Sequence, residues 1–296
     1  MEREDMLTKA MPLYECREGI FEIDEFECTE IFVIVGKERA LILDTGTGIG
    51  DLKGMIKERI TDLPYDVLLT HNHVDHMGGA AWFPKVYMHP EDLTHEDPYF
   101  PPTLEMRKSF ARVIREGSGK YYDYTEADIR PWPKEPEKLP VDDGHVFHLG
   151  GRDVIIFHCP GHTAGELVAL DEMTGTLLCG DAFNGNFLLD SSHLKEDRRE
   201  IAYQCLDAMR RIQAMEGRYR SVFNFHHDYR GYGSPLSPDL IGNQITNLER
   251  VLSGKADFRD IPDVLNPGTS KWVAEYKNSS ITLVNGDIRT LSGLWQ

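Results

Sequence analysis

A mixed α/β layered fold is what this 296-residue sequence predicts, and three observations carry that expectation. Apolar runs of strand length alternate with amphipathic helical stretches along the chain. Two pairs of such runs are separated by short turns, as in hairpins. One run, Asp66-Val-Leu-Leu-Thr70, is apolar enough to be a strand buried on both faces and covered by helices on at least one side.

Taken in order, Ile31-Phe-Val-Ile-Val, the turn Gly36-Lys-Glu-Arg and Ala40-Leu-Ile-Leu-Asp44 read as a hairpin. A short helix follows with Leu52, Met55, Ile56 and Ile60 on one face, and then the strand Asp66–Thr70, which runs into His71. Residues 90 to 140 hold half of the 16 prolines, with one helical stretch from about Thr103 to Arg115. Such a segment is either a lid-like, substrate-facing excursion or a surface embellishment. Val154–His158, Leu167–Leu170 and Thr176–Cys179 read as strands, and Arg198 to Met215 as a long helix with an apolar stripe. Ser221–Phe225 is again a strand. Ser237-Pro238-Asp239 opens a helix that ends at Gly254. Ile281–Val284 and Asp287–Leu291 flank Asn285-Gly286, a two-residue hairpin signal.

Composition narrows the function. Lys and Arg total 32 against 49 acids, a net charge of -17, which repels nucleic acid and anionic lipid, and no basic patch is visible. No apolar run reaches membrane-spanning length. The charged start, Met1-Glu-Arg-Glu-Asp-Met6, lacks a signal-peptide pattern, so a cytoplasmic location is expected. The five cysteines are odd in number and have no CxxC spacing, which favours reduced thiols over a disulfide framework.

The chemistry concentrates in Thr70-His71-Asn72-His73-Val74-Asp75-His76-Met77-Gly78-Gly79. Imidazole nitrogen and carboxylate oxygen are the ligands that zinc-like ions favour. On a tight loop after a strand, His71 and His73 can face one ion while Asp75 and His76 face a neighbour. A solvated polar loop is the plain alternative, but crowding so many titrating groups is costly without a cation. Similar groups recur after later strands: Pro160-Gly161-His162-Thr163, Gly180-Asp181 and His226-His227-Asp228. Strand ends on one sheet edge are where α/β enzymes gather catalytic groups.

Together with Asp44-Thr45-Gly46 after Ala40-Leu-Ile-Leu, this series resembles the metallo-β-lactamase superfamily over roughly residues 20 to 250. The resemblance implies a four-layer αββα sandwich forming one domain over residues 1–296, with the Pro-rich helical segment at about 90–140 inserted as a lid. It implies two divalent ions, with zinc expected ahead of iron or manganese. His71, His73 and His162 would bind the first, Asp75, His76 and a late histidine the second, and Asp181 would bridge them. Counting from Phe225 selects His227 over His226 as that late ligand. Asp44 and Asp66 would orient ligand histidines or brace the loop, or simply cap a strand end.

The activity so implied is attack by a hydroxide held between the two ions on a small ester-like carbonyl, with Asp75 orienting the nucleophile or taking its proton. Tyr203, Tyr229 and Tyr232 are candidate oxyanion donors or equally packing residues, and Arg230 is a candidate partner for a substrate carboxylate or for a surface acid. Nuclease, diiron redox and secreted β-lactamase readings are disfavoured by the acidic surface, by Asp75 where the redox members carry Glu, and by the missing export signal. A lactone or thioester remains. No basic glutathione-binding segment of the glyoxalase II type is found near the C-terminus. A small-nucleotide or lipid phosphodiesterase and a non-catalytic metal-binding role stand as alternatives. The expected partner is a small molecule, with no nucleic acid or membrane, and a homo-oligomer is left open.

Overall fold

The computed structural model describes residues 9–94, 100–118, 120, 122–190, 198–227, 230–263 and 268–284. Strands β1 (Leu13–Arg17), β2 (Ile20–Asp24), β3 (Glu30–Val35) and β4 (Ala40–Leu43) form an antiparallel meander. Helix α1 (Leu52–Arg59), capped by the Asp51 side chain on the Gly54 N–H, carries the chain across to β5 (Tyr65–Leu68), which pairs parallel with β4. The short α2 (Val74–Met77) leads to β6 (Lys85–Met88), again parallel. After α3 (Pro90–Thr94) and α4 (Leu104–Ser118), β7 (Glu137–Pro140) completes a seven-stranded sheet in sequence order.

A second sheet follows from β8 (Val146–His148), β9 (Asp153–His158), β10 (Leu167–Asp171) and β11 (Thr176–Leu178). The chain then leaves it for β12 (Asn186–Asp190) and α5 (Arg198–Gln213), and returns as β13 (Ser221–Phe223), parallel to β11. Past α6 (Leu240–Leu252), strands β14 (Phe258–Pro262), β15 (Ser270–Tyr276) and β16 (Ser279–Val284) form a four-stranded sheet with β12.

The two-residue period of the strands sorts side chains onto opposite faces. Phe32 and Ile34 of β3 meet Val154, Ile156, Leu167, Phe223 and Phe225 in a core between the first two sheets. Ile31 and Val33 point the other way, under Met55 and Ile56 of α1 and Ala111 of α4. On the far side of the second sheet, Val168 and Leu170 pack with Cys205, Met209 and Leu248 from α5 and α6. The molecule is therefore an α/β sandwich with mixed sheets and, among the described residues, six α-helices. Burial of β3 and β4 on both faces is the reason their sequence is a continuous apolar run.

Several elements differ from the sequence reading. Strands β1 and β2 precede the first one expected, and β6, β7, β8, β12, β14 and β15 have no counterpart in it; each is short or carries charged residues. The Pro-rich segment is packed into the body at both ends, since β7 joins the main sheet and α4 covers its core. Strand β16 pairs with β15, and the partner expected at 287–291 lies outside the described residues. The five cysteines are buried and free, and no helix among the described residues is long and apolar enough to cross a membrane.

Candidate metal centre

The centre is assembled at the ends of β4, β5, β9, β11 and β13. Asp44, just past β4, has φ of +64°, a left-handed backbone that asparagine and aspartate adopt more readily than other side chains. Its carboxylate accepts the Thr70 N–H (2.6 Å) and the Thr70 hydroxyl (2.7 Å), and lies 2.7 Å from His76 Nδ1. The Thr70 hydroxyl, donating to Asp44, is left as an acceptor 3.0 Å from His71 Nδ1. Asp44 thus holds His76 directly and reaches His71 through Thr70. Both rings then present Nε2 to the interior, the tautomer a ligand needs.

Around that point, three overlapping groups offer ligand atoms within 4.8 Å of one another: His71, His73 and His162; His71, His76 and Asp181; and Asp75, His76 and His226. His162 is fixed by its Nδ1, 2.9 Å from the Leu188 carbonyl on β12, and its Nε2 faces His73 Nδ1 at 2.9 Å. Asp181 follows Gly180 and sits between the imidazoles, with Oδ2 3.6 Å from His162 Nε2 and 3.4 Å from His226 Nε2, and Oδ1 3.8 Å from His76 Nε2. Asp75 Oδ2 lies 3.5 Å from His76 Nε2 and 3.4 Å from His226 Nε2.

Whether these residues suit a metal can be judged from their unmet bonding. His71 Nε2, His76 Nε2 and Asp181 Oδ1 are buried and make no hydrogen bond. Buried polar atoms are rarely left so, and here they converge. An N/O donor set of five histidines and two aspartates suits zinc, iron or manganese alike.

Electrostatics divide the set. Burial, reinforced by the neighbouring imidazoles, holds His71 well below its ordinary value, and His162, depressed mainly by burial and by His73, falls to about 4. Both stay neutral. Burial acts the same way on His76 and His226, but Asp75 with Asp44, and Asp181 with Asp75, outweigh it and hold the two imidazoles well above the usual histidine range. In turn, burial would raise Asp75 and Asp181, but His76 and His226 dominate and keep both carboxyls low.

Two sequence expectations are corrected. His227 does not enter the cluster: its Nδ1 bonds the Glu30 carboxylate, and His226 occupies the position facing Asp75 and Asp181. One residue of rotation past β13 decides this. Asp66 stands near the opposite end of β5, paired with Arg39 (2.8 Å) and Lys85 (3.6 Å), and braces no ligand. Arg230 is buried against Glu22 (2.6 Å), the Tyr232 hydroxyl donates to the Glu22 carbonyl, and Tyr203 is half exposed; Tyr229 lies outside the described residues.

Other supporting residues carried no signal in the sequence. Asp92, on α3 of the Pro-rich segment, accepts the Thr163 hydroxyl (2.8 Å) and the Gly165 N–H (2.7 Å), holding the His162 loop. Arg107 and Trp132 both donate to the Gly78 carbonyl, clamping the far end of the histidine loop. The Phe100 ring stands 5.1 Å from His73. Buried Glu166 lies against His71. A lone acid, arginine or aromatic ring in a loop has no spacing that marks it.

Solved structures share this architecture. A beta-lactamase domain protein from Burkholderia ambifaria superposes with a TM-score of 0.55 at 18% identity, covering 84% of this chain and 75% of that one. A metallo-beta-lactamase family protein from Thermus thermophilus gives 0.52 at 19% identity, covering 80% and 82%. The superfamily model matches residues 29–222, and the chain belongs to the metallo-beta-lactamase superfamily. Among curated proteins it is similar to the acyl-coenzyme A thioesterase MBLAC2 of Bos taurus and of Homo sapiens, each 28% identical over 192 residues, 58% of this chain. It is also similar to the atrochrysone carboxyl ACP thioesterase nsrC of Aspergillus novofumigatus, 27% identical over 169 residues, 56% of this chain. The match spans 66% of the length of the mammalian relatives and 42% of the fungal one.

Proposed function

We propose that this chain is a metal-dependent thioesterase acting on small acyl thioesters. The observation that carries the reading is the Asp181 carboxylate among His76, His162 and His226, beside buried ring nitrogens that make no hydrogen bond. The similarity to thioesterases with two kinds of acyl carrier, coenzyme A and an ACP, supports the thioester over the lactone. His71, His73 and His162 would hold one divalent ion, Asp75, His76 and His226 a second, and Asp181 would contact both. Ions so held supply an activated water and polarise the acyl carbonyl.

The protein's own groups do the rest. Asp75, kept ionised by His76 and His226, accepts a hydrogen bond from the attacking water and orients it. Asp44 and the Leu188 carbonyl hold His76 and His162 in their ligand tautomers. Phe100, from the Pro-rich segment, sets an apolar ring beside His73. A thiol leaving group, with an ordinary pKa of about 8.5, departs as thiolate without a strong general acid.

The test is metal analysis with a substrate panel of short-chain acyl-CoA, acyl-pantetheine, lactone and bis(p-nitrophenyl) phosphate. About two ions per chain are expected, with thiol release that chelation abolishes and zinc, iron or manganese restores. His73→Ala should lose both loading and turnover. Lactone or phosphodiester turnover without thiol release would replace the thioester reading, and full activity in a metal-free preparation would end the metal reading.

A further inference from the structure

Glu166 immediately precedes β10 and is fully buried. One carboxylate oxygen, Oε1, accepts the Asp181 N–H at 3.0 Å. The other, Oε2, lies 3.3 Å from His71 Nδ1 and is without a hydrogen-bond partner. The space it occupies is shaped for it. Gly180 has φ of +51°, and a Cβ there would stand 2.3 Å from Glu166 Oε1 and 2.9 Å from the Thr70 side chain. A side chain at position 180 would displace the carboxylate. Keeping an acid out of water beside Asp181 is costly, and the polar group its second oxygen faces is the His71 imidazole.

We infer that Glu166 is a positioning residue for the first-ion half of the centre. It ties the backbone of Asp181 with one oxygen and flanks the His71 Nδ1–H with the other. The Thr70 hydroxyl flanks the same N–H from 3.0 Å. His71 and Asp181 follow β5 and β11, which lie in different sheets, and Glu166 is a side chain that touches both. Its carboxylate sets the separation between the His71 Nε2 and the Asp181 carboxylate, and so the fit of the first ion. The inference rests on the proposed two-ion centre.

The experiment loads wild type, Glu166→Gln and Thr70→Val with cobalt(II), and follows chelator competition together with the exchangeable, paramagnetically shifted ring N–H protons of the ligand histidines. Glutamine keeps an acceptor for the Asp181 N–H but turns an amide donor toward His71. Glu166→Gln is expected to weaken the tighter-fitting first ion by about 10- to 100-fold, the usual effect of removing a group that orients a ligand. It should broaden or shift the His71 resonance and leave that of His76, held by Asp44, in place. Unchanged affinities with an unmoved His71 resonance overturn the inference, and so does equal weakening of both ions. Should Glu166→Gln not fold, Thr70→Val decides: a slowly exchanging His71 N–H that survives it supports Glu166, and its loss assigns the role to Thr70 alone. A wild-type protein that takes up fewer than two ions sinks the two-ion reading instead, so the two failures are distinguishable.

Discussion

The two halves of the centre are made of different chemistry. His71, His73 and His162 offer imidazoles alone, and burial keeps at least His71 and His162 neutral, their lone pairs ready. Asp75, His76 and His226 form a small network of ion pairs, where the carboxylates hold protons on the rings. The first half is preorganised for a cation. The second must give up protons to receive one. A carboxylate among ligands therefore does two opposing things: it adds attraction for the ion and raises the proton competition that the ion meets.

The largest expected effect tests which residues make up the second half. His226→Ala should retain one ion per chain instead of two. Its turnover should fall by at least about 100-fold, beyond what removing an orienting group usually costs. His227→Ala should keep both ions and lose about 1–3 kcal/mol of stability, because Glu30 is left buried without that partner. Metal analysis and thermal melts of the two variants decide it, and the reverse pattern would return the ligand role to His227.

The proton contrast gives a second test. His76 and His226, raised in the metal-free protein, must deprotonate to bind, so occupancy of the second half falls as the pH drops through their raised values. His71 and His162 stay neutral until far lower pH, about 4 for His162, so the first half should hold its ion into the acid range. Calorimetric titration in buffers of different ionisation enthalpy should record proton release with the second ion and little with the first. Equal release in both steps would erase the distinction.

The smallest effect concerns support for the first half. Asp92→Ala removes the acceptor of the Thr163 hydroxyl and the Gly165 N–H, and should cost about 1–3 kcal/mol, read as a lower melting temperature. Both ions should still bind at saturating concentration. Loss of the first ion altogether would make Asp92 far more than a brace for the loop.

Much of this was legible from the chain itself. The five strand-end strings and the order in which they occur locate His71, His73, Asp75, His76, His162 and Asp181, and the structure brings all six together. Apolar runs of strand length located β3, β4, β9, β10 and β11 to within a residue or two. Edge strands such as β1 and β14 escaped because charged residues interrupt their alternation.

What the sequence by itself determined is the donor inventory and its placement after strands, since ligand chemistry and strand periodicity are both local properties. Only the tertiary structure decided between His226 and His227, moved Asp66 out of the site, and brought in Asp92, Arg107 and Glu166. The reason is geometric. Beyond the last ladder pair of a strand, a single residue reverses the direction of a side chain, and a buried acid acquires its meaning from distant partners, such as Gly165, 73 positions from Asp92.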